Sequence, residues 1–240
     1  MKRFAAFGLS AILAACGGGG DSTAVAAPNV TAEGFWEGAA STGVSVALAV
    51  LENGETWGFY TSGGSITGAL YGNTISSGTT LSGTGKDFHI SSRTVGSGTY
   101  SGTLVAKSSI NVTTSSGSSF SGAYNSAYNQ PASLVAVAGT FSGAGVSGSS
   151  PVQTVSVTIS PSGSVTVPAS LGCSAAGTAT PRASGKNIFD VTVTFTGNTC
   201  ALGNGASTTG VAYYDTTTRR LLVMAMNAAK SDGFIYVGLK

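Results

Sequence analysis

Charge is scarce in this chain. Of 240 residues, 11 are Lys or Arg and 9 are Asp or Glu, or 8% in all. There is no run of basic residues, so nucleic-acid binding lacks its electrostatic basis. Histidine occurs once, at His89. A Ser-His-Asp arrangement would have to use it, and it lies in the strand-like Phe88-His89-Ile90. No G-x-S-x-G elbow, no H-E-x-x-H and no second histidine are present, so neither a nucleophile elbow nor a histidine metal site can be assembled. The carboxylates are also few. Glu52 and Glu55 flank a turn and Asp87 stands beside Lys86, with nothing to single out an acid/base pair. The sequence therefore assigns no catalytic residue, no metal and no cofactor. A sustained 3.6-residue period is missing beyond the first residues, which excludes a helical body.

Gly, Ser and Thr dominate instead, with Val, Tyr and Phe recurring between them. Hydrophobic residues make up 42% of the chain, too many for a disordered tail. Short apolar segments broken by Gly, Asn or Ser predict strands at 44–51, 56–60, 65–71, 87–91, 99–107, 108–114 and 119–124. The texture returns at 154–159, 164–167, 188–195, 210–214, 221–226 and 234–239. Asn53-Gly54 and Pro161-Ser162-Gly163 are turn signals. Between the halves, the segment 129–139 has an early proline, small helix formers and a terminal glycine, which predicts one or two helical turns. Gly139-Thr140-Phe141-Ser142-Gly143 then echoes Gly34-Phe35-Trp36-Glu37-Gly38.

These patterns predict an all-β protein of antiparallel barrel or sandwich units, two similar halves joined by a short helical turn. The expected units are 33–128 and 129–240. One closed barrel and two small ones both satisfy the pattern. The run from Gly143 to Gly148 matches G-x-G-x-x-G, but no helix follows it, so it is expected to be a glycine-rich loop. Trp36, Trp57, Phe59, Tyr60 and Tyr71 form an aromatic set suited to core packing or to lining a pocket for a sugar or apolar ligand. Tyr124 and Tyr128 are expected between the units.

Lys2 and Arg3, an apolar stretch over 4–13 and Leu13-Ala14-Ala15-Cys16 resemble the signal peptide and lipobox of bacterial lipoproteins. The resemblance implies cutting before Cys16 by a type II signal peptidase, with 1–15 as the leader. Cys16 would then carry diacylglycerol on its sulfur, often with a third chain such as palmitate on the amine. Two or three such chains hold effectively permanently. Gly17, where an aspartate would retain the protein at the inner membrane, implies sorting to the outer membrane. Residues 16–32 then form a lipidated flexible tether, its span on the order of 20 Å. Losing Lys2 and Arg3 leaves 9 basic and 9 acidic residues, a neutral mature chain.

With Cys16 lipidated, Cys173 and Cys200 remain, and an even pair in an oxidising compartment predicts a disulfide. A redox-active pair is the rival, without C-x-x-C spacing to support it. The turn signal Pro181-Arg182-Ala183-Ser184-Gly185-Lys186-Asn187 and the strand after it fit a bridge between neighbouring strands.

A short helix followed by Gly-x-aromatic entering a barrel is similar to the opening of lipocalin-like barrels. Glycine-rich lipidated barrels also resemble transferrin-binding-protein-like surface lipoproteins. The likeness covers the opening of each half, with Trp36 one place beyond the usual aromatic and Phe141 where that pattern has Trp. It implies a barrel and assigns no ligand. The expected function is a lipid-anchored outer-membrane β-protein, a non-enzymatic binding or structural module of the cell envelope. Its partners would be the membrane, through its lipid, and an unidentified small molecule or protein. An envelope or extracellular hydrolase is the alternative. A membrane-spanning barrel is a third reading, but it needs strands of about ten residues.

Overall fold

The computed structural model describes residues 31–148 and 150–240. The leader 1–15, Cys16 and all of the 16–32 tether except Thr31 and Ala32 lie outside the described residues.

Eight strands pair in chain order and close on themselves: β1 (Gly34–Ala40), β2 (Ser45–Val50), β3 (Glu55–Ser62), β4 (Ser65–Ser77), β5 (Thr80–His89), β6 (Thr94–Val105), β7 (Ser109–Thr114) and β8 (Ser119–Tyr124). A second closed set follows: β9 (Gly139–Ser147), β10 (Gln153–Ile159), β11 (Ser164–Ser170), β12 (Cys173–Pro181), β13 (Phe189–Thr196), β14 (Ser207–Asp215), β15 (Arg220–Met226) and β16 (Gly233–Leu239). A 3₁₀ turn, Ser126–Asn129, and the one-turn helix α1 (Leu134–Val137) join them. The fold is all-β, two antiparallel barrels rather than one barrel or a sandwich. Closure leaves no free sheet edge in either unit.

Alternation explains most of this. In β13, Phe189, Val191 and Val193 are buried while Asp190, Thr192 and Thr194 face out. In β15 the pattern fails, because all of Leu221 to Met226 is buried. Leu221, Val223 and Ala225 point into their own barrel, whereas Leu222, Met224 and Met226 join a core shared with the first barrel. That seam takes Phe35, Ala47, Ala49, Leu51, Trp57 and Phe59 from one side. Val146, Val211, Tyr213, Leu222, Met224 and Ile235 meet them from the other. At its centre Phe35 and Tyr213 stack with ring centroids 4.1 Å apart and planes 8° from parallel. Ion pairs flank it, Arg182 with Glu52 at 2.9 Å and Arg220 with Glu37 at 2.5 Å. Burial works against the Arg182 charge, but bonds to Glu52 and Asp190 outweigh it and leave its pKa raised.

The linker is pinned to both barrels. Asn187 Nδ2 donates to the carbonyls of Ala127 and Tyr214, at 3.3 and 2.8 Å. Tyr128 is buried in the seam and donates to Glu33, and Tyr124, partly buried, packs against both the seam and the core of the first barrel. Ser133 caps α1, its hydroxyl accepting from the Ala136 N–H.

Two expectations need correction. Gly143 to Ser147 are not a loop: they continue β9, paired with β10 on one side and β16 on the other. A Cβ on Gly143 would lie 2.0 Å from the Val237 carbonyl oxygen, so the glycines serve close strand approach and not a turn. The aromatic set is split by alternation. Trp36 and Tyr60 share the inner face of the first barrel, while Trp57, Phe59 and Tyr71 belong to the seam.

Phe35→Ala removes a fully buried ring from the centre of the seam, which predicts a loss of about 3–5 kcal/mol in guanidinium unfolding. A loss below about 1 kcal/mol, on the same scale, would mean that the seam does not hold the barrels.

Candidate functional site

The two barrel interiors differ. The first is filled: Trp36, Val50, Leu81, Leu104 and Ile110 form its core, and Trp36 Nε1 donates to the Ala32 carbonyl at 3.0 Å, beside the entering chain. Beside them runs a hydroxyl chain, Thr56 to Thr74 at 2.6 Å and Thr74 to Tyr100 at 2.7 Å.

The single histidine sits nearer the other end of that barrel. Tyr60 donates to Asp87 Oδ1 at 2.8 Å, and His89 Nδ1 lies 3.0 Å from the same hydroxyl. His89 Nε2 is 3.2 Å from Asp87 Oδ2, with both side chains about half exposed. Burial, then the hydrogen bond to Asp87 and its charge, push the Tyr60 hydroxyl far above its ordinary pKa, so it stays a donor. Tyr60 also faces Gly68 across β3 and β4, where a Cβ would fall 2.0 Å from its ring. The cluster ties β3, β4 and β5 together. Among the described residues, no group of three His, Cys, Asp or Glu is placed to hold a metal.

The second barrel encloses an open lumen of about 780 Å³. Side-chain size produces it. Val155, Val157, Val165 and Val193 project inward, and the small residues Gly145, Ala175 and Ala212 stand opposite the aromatics Tyr236, Phe195 and Phe189 and leave space before them. One end is shut by α1 with Val137, Phe141, Phe189 and Tyr214, all buried in the same core. Lys240 Nζ closes that end further by donating to the Ala136 carbonyl at 3.2 Å. None of the described residues lining the lumen carries a charge. Burial alone raises the Tyr236 hydroxyl to about 12, so it too remains neutral.

The mouth lies at the opposite end, where β9, β11 and β13 finish. Phe195 and Phe234 meet edge to face there at 5.6 Å. The β11–β12 connection is two residues, Leu171 and Gly172, between the paired Ser170 and Cys173. Both have positive φ, 50° and 82°. That is the backbone of a type I′ turn, which favours Asn-Gly. A leucine there costs about 1–2 kcal/mol. The turn is clamped from the neighbouring loop. Thr199 Oγ1 donates to the Leu171 carbonyl at 2.6 Å, and Cys200 is bonded to Cys173 with Cα atoms 4.9 Å apart. The disulfide thus joins the β12–β13 hairpin at its open end, opposite the Pro181 to Asn187 turn.

Of the residues singled out from sequence, Cys173 and Cys200 come together at this rim. His89 and Asp87 meet in the other barrel, and Glu52 and Glu55 diverge, Glu52 to Arg182 and Glu55 to Tyr71. Cys16 lies outside the described residues. The lumen itself was missed. Its signal was the run of small residues in β12, Cys173–Pro181, which also hid that strand.

No family model matches the chain, and no curated protein matches it. Among solved structures it is similar to the crystal structure of a protein of unknown function from the DUF3598 family of Nostoc punctiforme. The two are 12% identical over 88% of this chain and 96% of that one, with a TM-score of 0.28.

Cys173→Ser with Cys200→Ser opens a loop with a sequence separation of 27. The chain-entropy cost is about 3.5 kcal/mol, so guanidinium stability is expected to fall by up to that amount with the far-UV spectrum unchanged. No change in midpoint would show that Thr199 and strand pairing hold the rim without the bond.

Proposed function

We propose that this chain is a lipid-anchored, non-enzymatic binding module of the bacterial cell envelope, held at the outer membrane through Cys16. Its second barrel takes up a neutral lipophilic small molecule. The observation that carries the binding reading is the lumen: about 780 Å³, open at one end and lined without charge. Small-molecule sites commonly span about 300–1,000 Å³ and are mostly apolar with a few placed polar groups. Here those groups are neutral, Gln153, Thr154, Ser170 and Thr199 among them. An ionised ligand would give up its hydration inside with no counter-charge to replace it. An aliphatic one gains roughly 0.8 kcal/mol for each methylene buried. The anchor reading rests on Leu13-Ala14-Ala15-Cys16 and the absence of aspartate at Gly17.

The neutral dye Nile red tests the lumen. The full chain should raise and blue-shift its emission, and Ala175→Trp, which places an indole in the lumen, should abolish the effect while leaving the far-UV spectrum intact. Equal dye binding by both proteins, or none by either, would remove the lumen as the site.

Radiolabelled palmitate tests the anchor separately. Label is expected in the wild type, absent in Cys16→Ser, and fractionating with the outer membrane. An unlabelled wild type would make the chain an ordinary exported protein.

A further inference from the structure

The mouth of the second barrel has properties that lumen binding alone does not require. From Gly139 to Pro181 the sequence holds no Asp, Glu, Lys, Arg or His, and neither does 191–214. The charged residues between 139 and 214 are Arg182, Lys186 and Asp190, all at the closed end near α1. Of the mouth loops, the β15–β16 loop alone carries charge, and its Lys230 turns away to lie 4.8 Å from the Trp57 ring and 4.9 Å from that of Tyr71. Asp232 of the same loop accepts from the Gly148 and Gly233 N–H groups at 3.0 and 2.7 Å, and the remaining rim is uncharged.

Leu171 stands at the tip of this rim, 83% exposed, with Val152 on a neighbouring mouth loop 43% exposed. Four other non-glycine residues among those described have positive φ: Arg93, Lys107, Arg219 and Lys230. Each carries a charge suited to an exposed turn. Leu171 is the exception, an apolar residue in a conformation ill suited to it and the most exposed of the large apolar side chains among the described residues. Thr199 and the disulfide hold it there.

We propose that this rim inserts into a neutral lipid surface, with Leu171 as its leading side chain, so that the lumen mouth opens against the bilayer. The proposal rests on the reading of the lumen as a lipophile site and adds the source from which it fills. Charge selects the surface, because a rim without a free cation among its described residues gains nothing from anionic headgroups, and its one carboxylate, Asp232, is already held by the Gly148 and Gly233 N–H groups, so little charge hydration is lost on entering the interface. Area argues against a protein partner. A specific protein interface needs roughly 1,000 Å² or more with matched polar contacts, whereas a bilayer accepts a few projecting apolar side chains without any. A lipophile poorly soluble in water is also best collected where it is dissolved.

The test is partition of the full chain carrying Cys16→Ser, with and without Leu171→Asn, onto phosphatidylcholine vesicles. Asparagine is favoured in this turn, so Leu171→Asn should hold or raise the thermal midpoint while lowering vesicle partition roughly tenfold. That opposite movement separates docking from a merely structural role. In the same background, Leu171→Trp should show blue-shifted emission on adding the vesicles. Unchanged partition in Leu171→Asn, or tryptophan emission that does not shift, overturns the proposal. Loss of a concentration-dependent dimer without loss of vesicle binding would overturn it too, since the rim would then meet a second copy. Nile red uptake from solution reads the lumen independently: retained uptake with no vesicle effect removes the docking rim alone.

Discussion

Two barrels of this size share one core, and the rest of the molecule is arranged around that seam. Each barrel presents an apolar outer face along a few strands only, β1 to β4 in one and β9, β14, β15 and β16 in the other. Burying those faces together removes exposed patches that neither could carry alone in water. The Phe35–Tyr213 stack sits where the faces meet, and the ion pairs Arg182–Glu52 and Arg220–Glu37 stand beside it. The seam also carries a cost, since Trp57 Nε1 and Tyr213 OH are buried without a hydrogen-bond partner. Dispersion and apolar burial must exceed it, and the number of large side chains crossing the seam shows how.

Docking through one side fixes which strands remain free to vary. In the second barrel, β10 to β13 lie away from the seam, and there the outward residues are mostly Ser and Thr. Their inward residues are small or β-branched, apart from Phe189 and Phe195 at the two ends of β13. The first barrel meets the same geometry with Trp36 and Tyr100 directed inward, and its interior is full. Cavity and core are thus two outcomes of one backbone plan, decided by side-chain volume at equivalent inward positions.

The architecture was largely legible because alternation and turn chemistry act locally. Asn53-Gly54 and Pro161-Ser162-Gly163 turn as their residues require, and Gly54 and Gly163 both have positive φ. What stayed hidden depended on partners distant in the chain. Leu221 to Met226 reads as a plain apolar run, and only the seam gives its second face a purpose. Trp36 and Trp57 look like one aromatic set until register sends them to opposite faces of the sheet. The strand β12 has almost no apolar bulk, so its run of small residues marks the space it leaves without marking a strand. The disulfide was legible from cysteine parity, but its place at a rim was not, because the rim is made by four separate connections.

The scarcity of charge is better understood as a polarity than as an average. In the second barrel, Arg182, Lys186, Asp190, Asp215, Arg219, Arg220 and Lys240 gather at the end shut by α1. Asp215 illustrates their role there. Burial favours its neutral form, yet its bonds to Thr217 and Thr218 and the nearby Arg220 leave its pKa lowered, so it stays ionised and holds the β14–β15 turn. The end with ionised groups must face water, since moving them into an apolar medium would forfeit their hydration. The open end has two such groups, Lys230 set over the Trp57 and Tyr71 rings and Asp232 bonded to the Gly148 and Gly233 N–H groups. It is otherwise kept soluble by hydroxyls and amides, which lose far less on leaving water. A body built this way has a preferred orientation at any boundary between water and an apolar phase, and that orientation points the lumen mouth away from water.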